Sequence, residues 1–207
     1  MTQANDVDPI TGFDWAEHWR RLVLAAGRPQ RSEDDPWGER AQSYHASRGQ
    51  DWEPLVNVLE PWLDARKTLI DVGAGTGRHV VPLAARLDWV TAVEPSEAMR
   101  ALIAPADNLT VVASAWEDAE VAPADLVICS HVLYAVAEPV PFIEKLVACA
   151  RERVFIYLRD EQGAHEQGAR QPRFQDLYNL LRQMRIAPDV TVVRSGERLG
   201  AVAHWRP

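Results

Sequence analysis

Three glycines at alternate positions, Gly73, Gly75 and Gly77, stand in the segment Asp71-Val-Gly-Ala-Gly-Thr-Gly-Arg-His79. Glycine lets a backbone turn sharply and approach a ligand with no Cβ in the way. The segment follows an apolar run, TLIDV, and opens a helical stretch, so free N–H groups of a helix start would face the same ligand. Glu94 follows about 20 residues after Gly73, the spacing at which a carboxylate ending the second strand of a nucleoside-binding βαβ unit accepts hydrogen bonds from ribose hydroxyls. Turn and acid together define a nucleoside site. The dinucleotide fingerprint GxGxxG fails in both registers, because its last glycine would fall on Arg78 or on Val80. The spacing present is GxGxG, with Asp71 ahead of it.

Acid–base chemistry has one natural position, the segment ICSHVLY. His131 there is a candidate general base, since a histidine titrates near neutral pH. Tyr134 suits a pocket wall better than a base, because its unperturbed pKa is about 10.

These residues need a frame. TLIDVG, WVTAVEP, LTVVAS, ADLVICSHV and RVFIYLRD read as near-continuous apolar strands, alternating with helices predicted over 77–86, in SEAMRALIA with Ser96 as N-cap, and over 140–150. Such a pattern means a parallel sheet covered on both faces. Beyond the polar stretch EQGAHEQGARQP, a helix is predicted over 173–184. Two strands follow, VTVVRS and RLGAVAHW, turned at Gly196 and too close to be parallel. The expected fold is α/β, Rossmann-like and doubly wound: about seven strands, mostly parallel, with a C-terminal antiparallel hairpin. Three helices are predicted ahead of the sheet, over 13–27, 39–47 and 52–63, the last kinked or ended early at Pro61. Residues 1–66 then form a helical cap or lid, and 67–207 the nucleoside-binding core, as one compact unit.

DVGAGTGRH resembles the first motif of the class I S-adenosylmethionine-dependent methyltransferases, and AVEPSEAM resembles their second strand with its ribose-binding acid. VVASAWED and ADLVICSHVLYAV resemble the third- and fourth-strand segments, so the likeness runs from about Thr68 to Asp160. The resemblance implies S-adenosylmethionine as cofactor and S-adenosylhomocysteine as product. It implies that Gly73, Ala74, Gly75 and Gly77 face the methionine part, that Asp71 reaches its amino group, and that Glu94, with Pro95 beside it, binds the ribose. Ser114-Ala115 stands where the family often has Asp-Ala on the adenine; Trp116 or Glu117 would compensate for the missing charge. Ser130 joins the cofactor-binding residues, His131 and Tyr134 fall where the family places groups near the transferable methyl, and Tyr44 falls where small-molecule methyltransferases close a lid over the cofactor.

No Asn-Pro-Pro-Tyr or Asp-Pro-Pro-Tyr follows the fourth strand, which argues against methylation of base amino groups or glutamine. A small-molecule acceptor is expected, in a pocket between the leading helices and the ends of the fourth and fifth strands, walled by Trp37, Tyr44 and Trp52. The competing readings are a regulatory or scaffold protein that binds the cofactor without transfer, and a nicotinamide-dependent oxidoreductase, which the failed fingerprint disfavours.

The composition agrees. Twenty-two basic against 30 acidic residues leave a net charge of −8, which disfavours a phosphate backbone as partner. Hydrophobic residues make up 47% and charged ones 25%, an ordinary globular mixture. No apolar run reaches the roughly 20 residues of a membrane helix, and MTQANDVDPITGF carries no signal pattern, so a cytoplasmic protein is expected. Cys129 and Cys149 lie in apolar stretches and read as reduced core residues; no metal site is expected. Eight tryptophans read mainly as core.

Overall fold

A computed structural model describes residues 12–27, 35, 37–47, 54–159, 171–195 and 198–207. Seven strands form one sheet: β1 (Thr68–Val72), β2 (Trp89–Val93), β3 (Leu109–Val112), β4 (Ala124–Ser130), β5 (Ala150–Arg159), β6 (Asp189–Ser195) and β7 (Arg198–Trp205). Their order is β3-β2-β1-β4-β5-β7-β6. The first five run parallel, and β7 is antiparallel to both β5 and β6. This is the expected doubly wound sheet with its closing hairpin; Gly196, the expected turn residue, lies outside the described residues. The chain winds outward from β1 to β3, then returns to β4 on the other side of β1. The crevice beyond the carboxyl ends of β1 and β4 is therefore the switch point at which such sheets bind ligands.

Alternation along the strands divides the core in two. Ile70, Val127, Ile156 and Ala203 point to one face, with Phe142 and Leu146 of α6 (Pro139–Cys149) and Leu177 and Leu181 of α7 (Phe174–Gln183). Leu69, Leu126, Phe155 and Val202 point to the other, with Leu55 and Leu59 of α3 (Pro54–Leu59) and Leu83 of α4 (Val80–Ala84). Cys129 is wholly buried and Cys149 partly so, and both are free thiols; burial, with the Asp71 carboxylate nearby, pushes the Cys129 thiol far above its ordinary value.

The leading helices divide between these faces. Helix α1 (Trp15–Ala25) is capped by Asp14, which accepts the Ala16 and Glu17 amides. It packs on α7 and α6. Trp19 is fully buried there, its indole N–H donating to the Val136 carbonyl at 2.9 Å. Gln183 of α7 accepts the Trp15 amide at 2.6 Å. Helix α3 covers the opposite face and passes into a single 3-10 turn, Glu60–Trp62, at Pro61, where a continuing helix would lack an N–H. Among the described leading residues, the short piece between them, a 3-10 turn at Gly38–Arg40 and α2 (Ala41–Ser47), brings Tyr44 to the glycine turn. Two of the three leading helices thus serve the core, more than a cap over a pocket requires; Trp52 lies outside the described residues.

Candidate cofactor and methyl-transfer site

The glycine turn sits where β1 ends. Gly73, Gly75 and Gly77 all have positive φ, 73°, 57° and 83°, a region costly for other residues. Their surroundings differ. A Cβ on Gly73 would lie 2.3 Å from Val132 Cγ2, and one on Gly77 would lie 3.1 Å from Ile103 Cγ2. One on Gly75 would meet nothing within 4 Å. Gly73 and Gly77 are there for packing, and Gly75 presents bare backbone to an opening. The loop is further tied to β2, since Val93 accepts both the Gly73 and Ala74 amides, at 2.8 and 3.1 Å.

Glu94, at the end of β2, is 6% exposed. One carboxylate oxygen accepts the Gly75 amide at 2.8 Å and the other accepts the Ser96 amide at 2.9 Å. Burial raises its pKa above the ordinary carboxylate value and the Asp71 charge adds to this, while the two amides and Arg100 oppose it. Ser96 is the N-cap of α5 (Glu97–Arg100), as expected, its hydroxyl accepting the Met99 amide at 3.1 Å. Pro95 beside it is exposed.

Asp71 is 1% exposed, and neither of its carboxylate oxygens accepts a hydrogen bond among the described residues. The His79 ring stands nearby, Nδ1 at 3.7 Å. A buried carboxylate without donors is costly, and proteins keep few of them. Asp71 precedes Gly75 by four residues, in the strand that leads into the turn.

Ser130 ends β4 and His131 follows it. They line a cavity of about 30 Å³ together with Tyr44, Gly73, Gly75, Arg78 and His79. His131 is one of two non-glycine residues with positive φ among those described, at 60°. Strain of this kind is tolerated where the surroundings over-determine it, often at functional sites. Here the His131 amide donates to the Tyr157 carbonyl at 3.0 Å and its ring packs on the Tyr157 ring at 4.4 Å. His131 Nδ1 is 3.4 Å from the Tyr134 hydroxyl, which accepts the Arg159 amide at 2.6 Å. The structure thus joins the two acid–base candidates, with the phenol behind the imidazole.

The segment after β3 is placed differently from a simple surface loop. The Ser114 hydroxyl donates to the Ala115 carbonyl at 2.9 Å. Trp116 is 3% exposed, packs on Phe142 and donates its indole N–H to the Phe142 carbonyl at 3.3 Å. Lys145 holds this segment, donating to the carbonyls of Trp116, Glu117 and Ala119. Sequence reasoning did not single out Lys145, Arg78 or His79. The latter two follow Gly77 directly, so their place in the motif was the available signal. A groove of about 400 Å³ lies elsewhere, between α3 and β6–β7, lined by Trp62, Arg194 and His204. It touches none of the residues above.

With this geometry in hand the comparisons are direct. The methyltransferase domain family matches residues 44–189, well over half of the chain, and the chain belongs to that family. The fold is shared with a magnesium protoporphyrin IX methyltransferase from Synechocystis PCC 6803, solved with bound S-adenosylhomocysteine: 18% identity, 91% of each chain covered, TM-score 0.58. It is also shared with an S-adenosylmethionine-dependent methyltransferase from Aquifex aeolicus, at 19% identity over 80% of this chain and 97% of that one, TM-score 0.61. A third likeness is a putative methyltransferase from Haloferax volcanii in complex with the Trm112 activator, at 13% identity over 84% and 98%, TM-score 0.67. No protein of curated function matches the sequence. Family and fold are those that the glycine turn and Glu94 led us to expect. Among the described residues, no helix is long and apolar enough to cross a membrane and no cluster of three or more His, Cys, Asp or Glu could hold a metal ion.

Proposed function

We propose that this chain transfers a methyl group from S-adenosylmethionine to a small-molecule acceptor. The observation that carries the reading is the buried Asp71 carboxylate, which accepts no hydrogen bond among the described residues, beside a glycine turn whose Gly75 amide donates to Glu94. Asp71 suits a ligand that bears an ammonium group, and the GxGxG spacing lacks the last glycine of the dinucleotide fingerprint, which disfavours a nicotinamide dinucleotide. S-adenosylmethionine supplies a methyl group already activated as a sulfonium substituent.

The residues present fit that cofactor. Asp71 would receive its amino group and Arg78, on the wall of the same cavity, its carboxylate. Glu94 would accept the ribose hydroxyls with the lone pairs its two amide bonds leave open. Ser114, Ala115 and Trp116 border the place expected for the adenine, with Trp116 fixed by Lys145. His131 is the candidate base. With Nδ1–H donating to the Tyr134 hydroxyl, its Nε2 keeps a lone pair with which to take the acceptor's proton. Tyr134 would set that tautomer as a positioning residue, since its hydroxyl can accept from both Arg159 and His131. Alignment and exclusion of water supply the rest of the rate enhancement. The acceptor would enter between the Tyr44 segment and the ends of β4 and β5.

Calorimetry tests the reading. S-adenosylmethionine and S-adenosylhomocysteine should both bind and NAD should not. NAD binding without response to either sulfur nucleoside would overturn it.

A further inference from the structure

We propose that the groove between α3 and the β6–β7 hairpin is a second ligand site, which takes a small organic carboxylate with a ring-bearing apolar body. It shares no residue with the crevice at the glycine turn, and the inference stands without the cofactor reading.

Its volume, about 400 Å³, falls within the roughly 300–1,000 Å³ of small-molecule sites. Helix α3 and the 3-10 turn after it supply one wall, β6 and β7 the other. Val58, Pro61, Trp62 and Val193 form the apolar part of the lining. The rings of Pro61 and Trp62 have little conformational freedom to lose, so a ligand ring packs on them at low entropic cost.

The polar part of the lining is Asn57, Thr191, Arg194 and His204, with no carboxylate among them. His204 is 6% exposed and packs between Trp62 and Phe155. An Arg153 guanidinium N–H meets its Nδ1 at 2.8 Å. A guanidinium can only donate, so Nδ1 accepts and the ring proton sits on Nε2. Burial and the Arg153 charge lower the His204 pKa, while Asp189 opposes them, so the neutral tautomer persists at neutral pH. Its Nε2–H makes no hydrogen bond among the described residues. A buried donor left open is costly, and this one belongs to the groove wall.

Arg153 is already engaged, over the Trp62 ring at 4.6 Å and with Asp189 at 3.2 Å. Arg194 is exposed and makes no ion pair among the described residues. In a chain of net charge −8, a groove lined by one open cation and one open N–H, without an acid, is complementary to an anion. Carboxylate oxygens accept from both a guanidinium and an imidazole N–H, and the ring walls take the apolar body.

Nuclear magnetic resonance with benzoate as probe tests the site. Benzoate should shift the His204 Nε2–H resonance and the amides of Asn57, Thr191 and Arg194 saturably. Benzamide, the uncharged counterpart, and inorganic phosphate, an anion without a ring, should each bind at least about tenfold more weakly. Arg194→Ala changes an exposed residue; it should weaken benzoate about tenfold and leave benzamide unaffected. No saturable shift at these residues overturns the site. So does equal affinity for benzamide or phosphate, or wild-type benzoate affinity in Arg194→Ala. Benzoate shifts confined to the glycine turn would put the anion in the other crevice and overturn it as well.

Discussion

Glu94 and Gly75 are joined by a hydrogen bond of 2.8 Å in which the turn's amide donates to the buried carboxylate. One residue is the only glycine of the turn whose missing Cβ faces open space, and the other is the acid that ends β2. The bond ties the proposed ribose-binding group to the turn's backbone. Glu94→Ala removes both, and cofactor affinity in calorimetry should fall by about 1.5–3 kcal/mol, the usual worth of bonds to a charged group. Unchanged affinity in the folded variant would take Glu94 out of the site.

The raised pKa of Glu94 sets a pH dependence. A group whose folded pKa lies above its unfolded value adds stability at low pH that is lost as pH rises through the folded pKa. On the proposed reading ligand binding runs the other way, since the ribose hydroxyls would need the ionised carboxylate as acceptor. S-adenosylhomocysteine affinity should therefore weaken on acidification from a pH above the ordinary carboxylate range, and Glu94→Gln should flatten that response. An equal acid response in Glu94→Gln would assign it to another group.

Gly73 and Gly75 should separate folding from binding. In Gly73→Ala the new methyl would stand 2.3 Å from Val132 at a positive φ, and thermal or urea unfolding should show a loss of about 2–4 kcal/mol. Gly75→Ala has only its φ to contend with, about 1–2 kcal/mol. It should stay folded yet bind cofactor at least about tenfold more weakly, because its methyl projects into the ligand's space. A folded Gly75→Ala with wild-type affinity would move the ligand away from the turn.

His131 and Tyr134 make a paired kinetic test. If Nε2 of His131 is the base, His131→Ala should lower kcat by about 10²–10⁴-fold with little change in cofactor affinity. Tyr134→Phe keeps the ring and removes the hydroxyl that orients Nδ1. It should lower kcat less and shift the acidic limb of the pH–rate profile. A Tyr134→Phe enzyme with an unaltered profile would reduce Tyr134 to a wall.

Trp19 tells how the leading residues can be probed. It is fully buried against the α6–α7 face and donates to Val136. Trp19→Ala should cost about 3–5 kcal/mol, so deletion of residues 1–50 removes core along with any lid. Tyr44→Ala leaves the core intact and is the cleaner probe of the proposed acceptor rim. Acceptor turnover should fall in that variant while its unfolding midpoint stays near the wild-type value.

Much of this protein was legible in the residues themselves. Apolar runs of strand length between helical stretches determine a parallel sheet, because each strand must be buried on both faces. Asp71, the alternate glycines and Glu94 are close in sequence and joined by one βαβ unit, so their meeting follows from local chain geometry. Ser96 as N-cap was readable for the same reason. What depends on contacts between distant segments was not. That Trp19 is a core residue was expected from the sequence; which elements it packs on came from α1 docking on α7, through partners more than 100 residues away. That Trp116 turns inward came from Phe142 and Lys145. The hydrogen bond from the Ser96 hydroxyl to Asp35 spans 61 residues and carries no motif, since any short acid in a polar connector looks the same until folding sets a hydroxyl opposite it. Local spacing decides which groups can act, and only the packed chain decides which of them face one another.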